Sequence, residues 1–179
     1  MKATGIIRRI DGLGRVVIPK EIRCTQHIRP SDPLEIFTTA DGDVVFKKYS
    51  PVKELADYAA DCCEVLARSL NTTVLVCDRE RVAASAGPDG KEYADKRIGM
   101  ALDNLMERRR AFLWNGKAAE KIFVCENTRR HILAMYPVLA NGELSGAVCV
   151  LSEQSRAADS ETAKAAELTA CFLARQLEE

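Results

Sequence analysis

Apolar positions along this chain follow three rhythms. Between residues 5 and 18 the β-branched residues fall into two short runs, Ile6-Ile7 with Ile10 and Val16-Val17-Ile18, separated by Asp11-Gly12 and Gly14. Such runs around a tight-turn dipeptide predict two strands. Pro19 stops the second run and suits the first turn of a helix, where its missing N–H has no partner to lose, so a short helix is predicted to about Gln26. Residues 33–48 then alternate: Leu34, Ile36 and Thr38 oppose Glu35, Phe37 and Thr39. Asp41-Gly42 makes a turn, and Val44, Val45 and Phe46 lead out to Lys47-Lys48. That pattern predicts a β-hairpin.

From Ser50-Pro51 onward the period changes to that of a helix. Serine as N-cap and proline at the first helical position start it with almost no linker, and Val52, Leu55, Ala59, Cys62 and Leu66 recur three and four apart. A last helix over about 159–178 carries Ala163, Ala166, Ala170, Leu173 and Leu177 on one side and Leu168 and Phe172 on another. A helix apolar on two sides packs on two things, here its own sheet and a partner chain. Between the two helices the pattern predicts strands at 73–77, 81–85, 122–125, 132–138 and 145–151. It also predicts an amphipathic helix at 94–110 with Ile98, Leu102, Leu105 and Met106 inward, and a hairpin turn at Asn141-Gly142. The order reads as an α+β domain with a central antiparallel sheet.

At 179 residues the chain has room for one small and one medium domain, divided at residues 1–50 and 51–179. Four short strands and one short helix are too little for the first part to bury a sound core alone, and its strand edges are open. An obligate dimer with interleaved strands follows.

Charge sharpens this division. The chain is neutral, with 26 basic and 26 acidic residues. Residues 1–50 nevertheless hold nine basic against six acidic, leaving 17 against 20 in the remainder. Lys2, Arg8, Arg9, Arg15, Lys20, Arg23 and Arg29 face only Asp11 and Glu21 over the first 29 residues. The asymmetry points to a polyanion-facing module joined to one with another task. No apolar stretch approaches the roughly 18 residues of a membrane span, and the N-terminus does not read as a signal sequence, so a cytoplasmic protein with no membrane partner is expected. The seven cysteines are odd in number and include no C-x-x-C pair. In a reducing compartment they read as small buried hydrophobes.

The residues MKATGIIRRIDGLGRVVIP, followed by DPLEIF and VVFKKYSP, resemble the AbrB family of swapped-hairpin DNA-binding domains. The continuation past Tyr49, closing in AAELTACFLARQLE, is similar to the sporulation branch of that family, in which a GAF domain follows. The resemblance implies a swapped-hairpin β-barrel formed by a dimer, docking its basic face on double-stranded DNA. The family's DNA-contacting arginines fall on Arg8, Arg15 and Arg23, with Arg9 and Lys2 flanking. Cys24 stands where the family usually carries a second arginine, and Gln26 and His27 also depart from its pattern. The resemblance further implies a homodimer or homotetramer, late sporulation gene control, and a GAF-like domain that holds a small-molecule effector between sheet and lid loops. Asp78, Ser85, Trp114 and Tyr136 are the polar and aromatic groups available to a pocket, and none is assigned to it. No cofactor is expected.

Arginine's planar fork grips two phosphate oxygens or the O6/N7 edge of guanine, whereas lysine acts as a point charge. Few Asn or Gln side chains accompany the arginines, so phosphate contacts and DNA deformability are expected to dominate. Other chemistries have weaker support. Some GAF proteins are cysteine-dependent methionine sulfoxide reductases, and Cys77, Cys125 and His131 are the residues such an activity would use, but no thiolate-stabilising partner is legible. Cys24-x-x-His27 is half of a zinc site, and Gly12-x-Gly14 lacks the third glycine of a dinucleotide fingerprint. An antitoxin-like module that binds another protein is the alternative reading of the same fold.

Overall fold

In the computed structural model the described residues are 4–30, 32–117, 121–152, 154 and 157–178. The chain divides into two compact units, Met1–Tyr49 and Ser50–Glu179.

In the first unit, helix α1 (Lys20–Thr25) starts from Pro19 as N-cap, whose extended ψ of 148° sets it one position outside the helix rather than in its first turn. The helix closes on His27. Its φ of 52° is left-handed, the Ile28 N–H donates to the Arg23 carbonyl at 2.7 Å, and its own N–H donates to Cys24 at 3.2 Å. This pair of reversed bonds satisfies carbonyls that the last turn leaves open. Strands β1 (Leu34–Thr38) and β2 (Val44–Lys48) form the expected antiparallel hairpin, Leu34 opposite Lys48 and Thr38 opposite Val44. The two strands expected before Pro19 differ: residues 4–18 form no ladder among the described residues. A barrel built by two chains places strand partners on the second copy, so one chain alone leaves this stretch without them.

The second unit is a five-stranded antiparallel sheet in the order β4-β3-β7-β6-β5, from β3 (Val74–Cys77), β4 (Val82–Ala86), β5 (Phe112–Leu113), β6 (His131–Ala140) and β7 (Glu143–Ser152). Side chains alternate between its faces. Val74, Val76, Val148 and Val150 meet Ala59, Cys63 and Leu66 of helix α3 (Ala56–Leu70) and Ala166, Ala170 and Leu173 of helix α5 (Ser160–Gln176). Leu75, Cys77, Cys149 and Leu151 meet Leu102, Leu105 and Met106 of helix α4 (Met100–Glu107) on the opposite face. The strand period of two thus separates two cores across one sheet.

Three local expectations change. The helix from Pro51 is broken at Leu55 into α2 (Pro51–Glu54) and α3. Ser50 makes no side-chain cap; its hydroxyl donates to the Asp78 carboxylate instead, at 2.9 Å. The helix expected over 94–110 is confined to α4, because the chain before it is drawn into tertiary bonds: the Ile98 N–H donates to Glu80 at 2.8 Å and the Gly99 N–H to Val124 at 2.7 Å. Residues 122–125 contribute only a bridge from Phe123 to His131. Gly146 on β7 marks the closest approach in the sheet, since a Cβ there would overlap the Cys77 carbonyl and crowd Val52 of α2.

Candidate nucleic-acid interface

Asp11 organises the turn that carries the arginines. One carboxylate oxygen accepts the N–H groups of Leu13 and Arg15, each at 2.9 Å, while the other accepts Arg15 Nε at 2.8 Å. Backbone bonds from Asp11 N–H to Arg15 O and from Gly14 N–H to Asp11 O, both 3.0 Å, close the loop, with Gly14 at a φ of 78° that favours glycine. The backbone bond from Arg15, followed by its side-chain bond, holds the Asp11 carboxyl below its usual value. Sequence reading assigned Asp11 only to a turn; its role as the acceptor that aims Arg15 is visible in the structure alone. The spacing of four residues was the available signal, but outside a helix it carries no geometric meaning.

Arg8, Arg9 and Arg15 are exposed. Arg8 donates to the Ile7 carbonyl at 3.1 Å, a local contact that leaves its charge at the surface. Arg23 is half-buried, its Nε donating to the Ile18 carbonyl at 3.3 Å across the Pro19 junction. The structure thus places Arg15 and Arg23 on fixed supports and Arg8 and Arg9 on the open backbone before the turn. Lys2 lies outside the described residues.

Around these arginines the apolar side chains have no interior to enter. Among the described residues of this unit only Pro19 is buried. Ile7, Ile10, Leu13 and Val17 are each more than two-thirds exposed, and Ile36, Val44 and Phe46 of the hairpin are exposed as well. The unit is a surface in search of a core.

The Cys24-x-x-His27 pair is part of the helix C-cap, its backbone engaged in the closing bonds and both side chains exposed. Among the described residues no group of three or more His, Cys, Asp or Glu is placed to hold a metal. In the second unit Cys77 and Cys125 are buried, and the thiol of Cys77 is raised by its hydrogen bond to Cys149 and by burial. Burial likewise raises Cys125. His131 packs edge-on against Trp114 with ring centroids 4.1 Å apart, and burial lowers its imidazole. Of the pocket candidates, Asp78 and Trp114 are buried and hydrogen-bonded within the protein, Tyr136 is half-buried, and Ser85 alone lines an open groove.

Comparison with known proteins agrees with both units. A family model described as stage V sporulation protein T C-terminal, transcription factor, matches residues 54–178. Stage V sporulation protein T of Bacillus subtilis (strain 168) is 44% identical over 179 residues, covering 100% of both chains. The chain belongs to the stage V sporulation protein T family. It is therefore a DNA-binding transcriptional regulator of sporulation genes. For residues 7–54 a second model matches, described as antidote-toxin recognition MazE, bacterial antitoxin. Transition state regulatory protein AbrB of the same organism is 53% identical over 51 residues, 28% of this chain and 52% of that one. The fold of the second unit is that of a GAF domain: one from a phosphoenolpyruvate-protein phosphotransferase of Coxiella burnetii superposes with a TM-score of 0.55 at 17% identity, covering 69% of this chain and 82% of that one. In the stage V sporulation protein T family the two units thus combine an AbrB-type N-terminus with a GAF fold. No described helix is long and apolar enough to cross a membrane.

Proposed function

We propose that residues 1–50 form, with a second copy, the swapped-hairpin module that grips duplex DNA through Arg8, Arg9, Arg15, Arg23 and Lys2. Residues 51–179 act as its GAF-like sensor and oligomerisation domain, in a cytoplasmic regulator without enzymatic activity. One observation carries the reading: a unit that, among the described residues, buries only Pro19 while exposing eleven large apolar side chains around Arg8, Arg9, Arg15 and Arg23 requires a partner copy before it has a core. Pairing covers the apolar set and leaves the guanidinium groups, which are costly to bury, on the outside. Two copies then present six of the family-matched arginines, Arg8, Arg15 and Arg23 from each. Oligomerisation beyond the dimer is supported by exposed Tyr58 and Val65 of α3 and Leu168 and Phe172 of α5, with the Tyr58 and Phe172 rings 6.4 Å apart. A small-molecule effector of the GAF-like domain completes this reading.

The test is fluorescence anisotropy of the full-length protein with duplex DNA across a salt series, beside an Arg8→Ala, Arg15→Ala, Arg23→Ala variant. Six neutralised phosphates predict a log–log salt slope of about −5. The variant is expected to lose both affinity and slope; equal weak binding by both proteins would overturn the assignment. The antitoxin-type match over residues 7–54 favours a second reading, in which the same surface binds a protein. That reading predicts a stable stoichiometric protein complex insensitive to removal of the three arginines.

A further inference from the structure

Strand β4 reads Val-Ala-Ala-Ser-Ala, whereas its neighbour β3 reads Val-Leu-Val-Cys. Alanine is depleted in strands because it packs poorly on a pleated surface. Here β4 is also the edge of the sheet, and Ala83 and Ala84 leave open a groove of about 310 Å³. Ala56 of α3 and Ala94 of the following loop continue the same small-residue lining, and Lys53 and Asp95 stand at the groove with charges of opposite sign.

Both charged groups are exposed and only loosely paired within the protein. The Lys53 ammonium lies 3.9 Å from Asp78, which is already held by the Ser50 hydroxyl at 2.9 Å and by the N–H groups of Glu80 and Arg81 at 2.6 Å. Lys53 is thus the loosest of the contacts on that carboxylate, and its side chain is 58% exposed. The Asp95 side chain is 81% exposed and held only at 3.4 Å by Arg81. The volume lies at the small end of the range for ligand sites, which suits a compact ligand. A plain anion meets Asp95 and a plain cation meets Lys53, so each charge selects against a ligand bearing only its own sign.

Resting on the reading of the second unit as a sensor, we propose that this groove binds a small zwitterion with an aliphatic body, its anionic end on Lys53 and its cationic end on Asp95. Engaging Lys53 draws it from Asp78, the carboxylate that anchors Ser50 at the start of the unit.

The experiment is isothermal titration of the full-length protein with L-valine and with 5-aminopentanoate, whose charges are adjacent and separated respectively. Pentanoate and butylamine serve as single-charge controls. Saturable binding is expected for at least one zwitterion and for neither control. It is expected to vanish in Ala94→Leu, which fills the groove from an exposed position, and to weaken at least tenfold in Lys53→Gln. Absence of binding by both zwitterions, binding that survives Ala94→Leu, or equal binding of pentanoate would each overturn the site. DNA anisotropy with and without the bound zwitterion separates the two claims. A bound zwitterion that leaves DNA affinity unchanged keeps the site and sinks the effector reading, whereas no binding sinks the site and leaves that reading to another pocket.

Discussion

Ser50 and Asp78, 28 residues apart in sequence, are joined by a 2.9 Å hydrogen bond that ties the first residue of the second unit to the turn between β3 and β4. The carboxylate is buried and collects two backbone N–H groups besides. Removing Ser50 leaves one oxygen of a buried charge short of a donor; Ser50→Ala is expected to cost about 1–3 kcal/mol, and Asp78→Ala more, since it strands the two N–H groups. Urea unfolding of the full-length variants, followed by circular dichroism, measures both. A cost for Asp78→Ala no larger than for Ser50→Ala would argue against the network.

Gly146 tolerates no side chain. A Cβ there meets backbone, the Cys77 carbonyl, rather than a flexible side-chain tip that can move aside, and it also crowds Val52. Gly146→Ala is expected to destabilise the second unit by about 3 kcal/mol or more, at or beyond the upper end of overpacking costs. A lowered thermal midpoint with α2 and β3 losing hydrogen-exchange protection first is the expected signature.

His27 occupies a left-handed position with its side chain exposed. A left-handed L-residue costs about 1–2 kcal/mol, and glycine gives back about 0.5–1 kcal/mol through its larger unfolded-state entropy. His27→Gly is therefore expected to stabilise the first unit by a few tenths to about 1 kcal/mol, read as an increase in urea midpoint at unchanged slope. A zinc ligand at this position would give the opposite sign in zinc-containing buffer.

Asp11 restrains Arg15 through an ion pair, and on the proposed reading its charge competes with DNA phosphate for that guanidinium. Asp11→Asn keeps an oxygen for the two turn N–H groups and removes the negative charge, so tighter DNA binding with a steeper salt slope is expected; Arg15→Ala, which removes one arginine from each of two copies, is expected to reduce the slope by about two. Because the folded Asp11 carboxyl sits below its ordinary value of 3.8, the turn's contribution is present above that pH and is lost as pH falls through the folded value. Arg15 Nε chemical shifts followed down an acid titration report the release.

Thiol reactivity maps the burial of the cysteines. Cys24 and Cys171 are exposed, whereas burial pushes Cys63 up to about 12 and raises Cys125, and the hydrogen bond to Cys149 together with burial raises Cys77. A neutral-pH disulfide-exchange reagent is expected to modify two thiols quickly and the buried ones only after denaturation. Fast reaction of Cys77 or Cys125 in the native protein would revive the catalytic-cysteine reading.

The sequence by itself determined a good deal. Asp41-Gly42 between alternating residues specified the β1–β2 hairpin, because a two-fold period and a tight turn leave one register. The spacing of Ala166, Ala170 and Leu173 specified the inner face of α5, and Asp159 caps that helix by accepting the Thr162 N–H at 2.8 Å. The arginines around the first turn were legible as a cluster that outnumbers its acidic neighbours, Asp11 and Glu21. Local period and local charge are properties of neighbouring residues, so they survive in one dimension.

Tertiary structure decided what depends on residues far apart. Ser50 was a cap by its position before Pro51, yet a carboxylate is a stronger acceptor partner for a hydroxyl than one helix N–H is a donor, and Asp78 is brought to it only by the sheet. The helix expected over 94–110 lost its first turns to bonds with Glu80 and Val124, partners that no helical period announces. The run at 81–85 read as one strand among others, and its alanines became part of a groove only when Lys53 and Asp95 arrived beside them. Segment 4–18 shows the same limit: its runs have strand character, but a strand is completed by the backbone it pairs with, and that partner lies outside a single chain's local sequence.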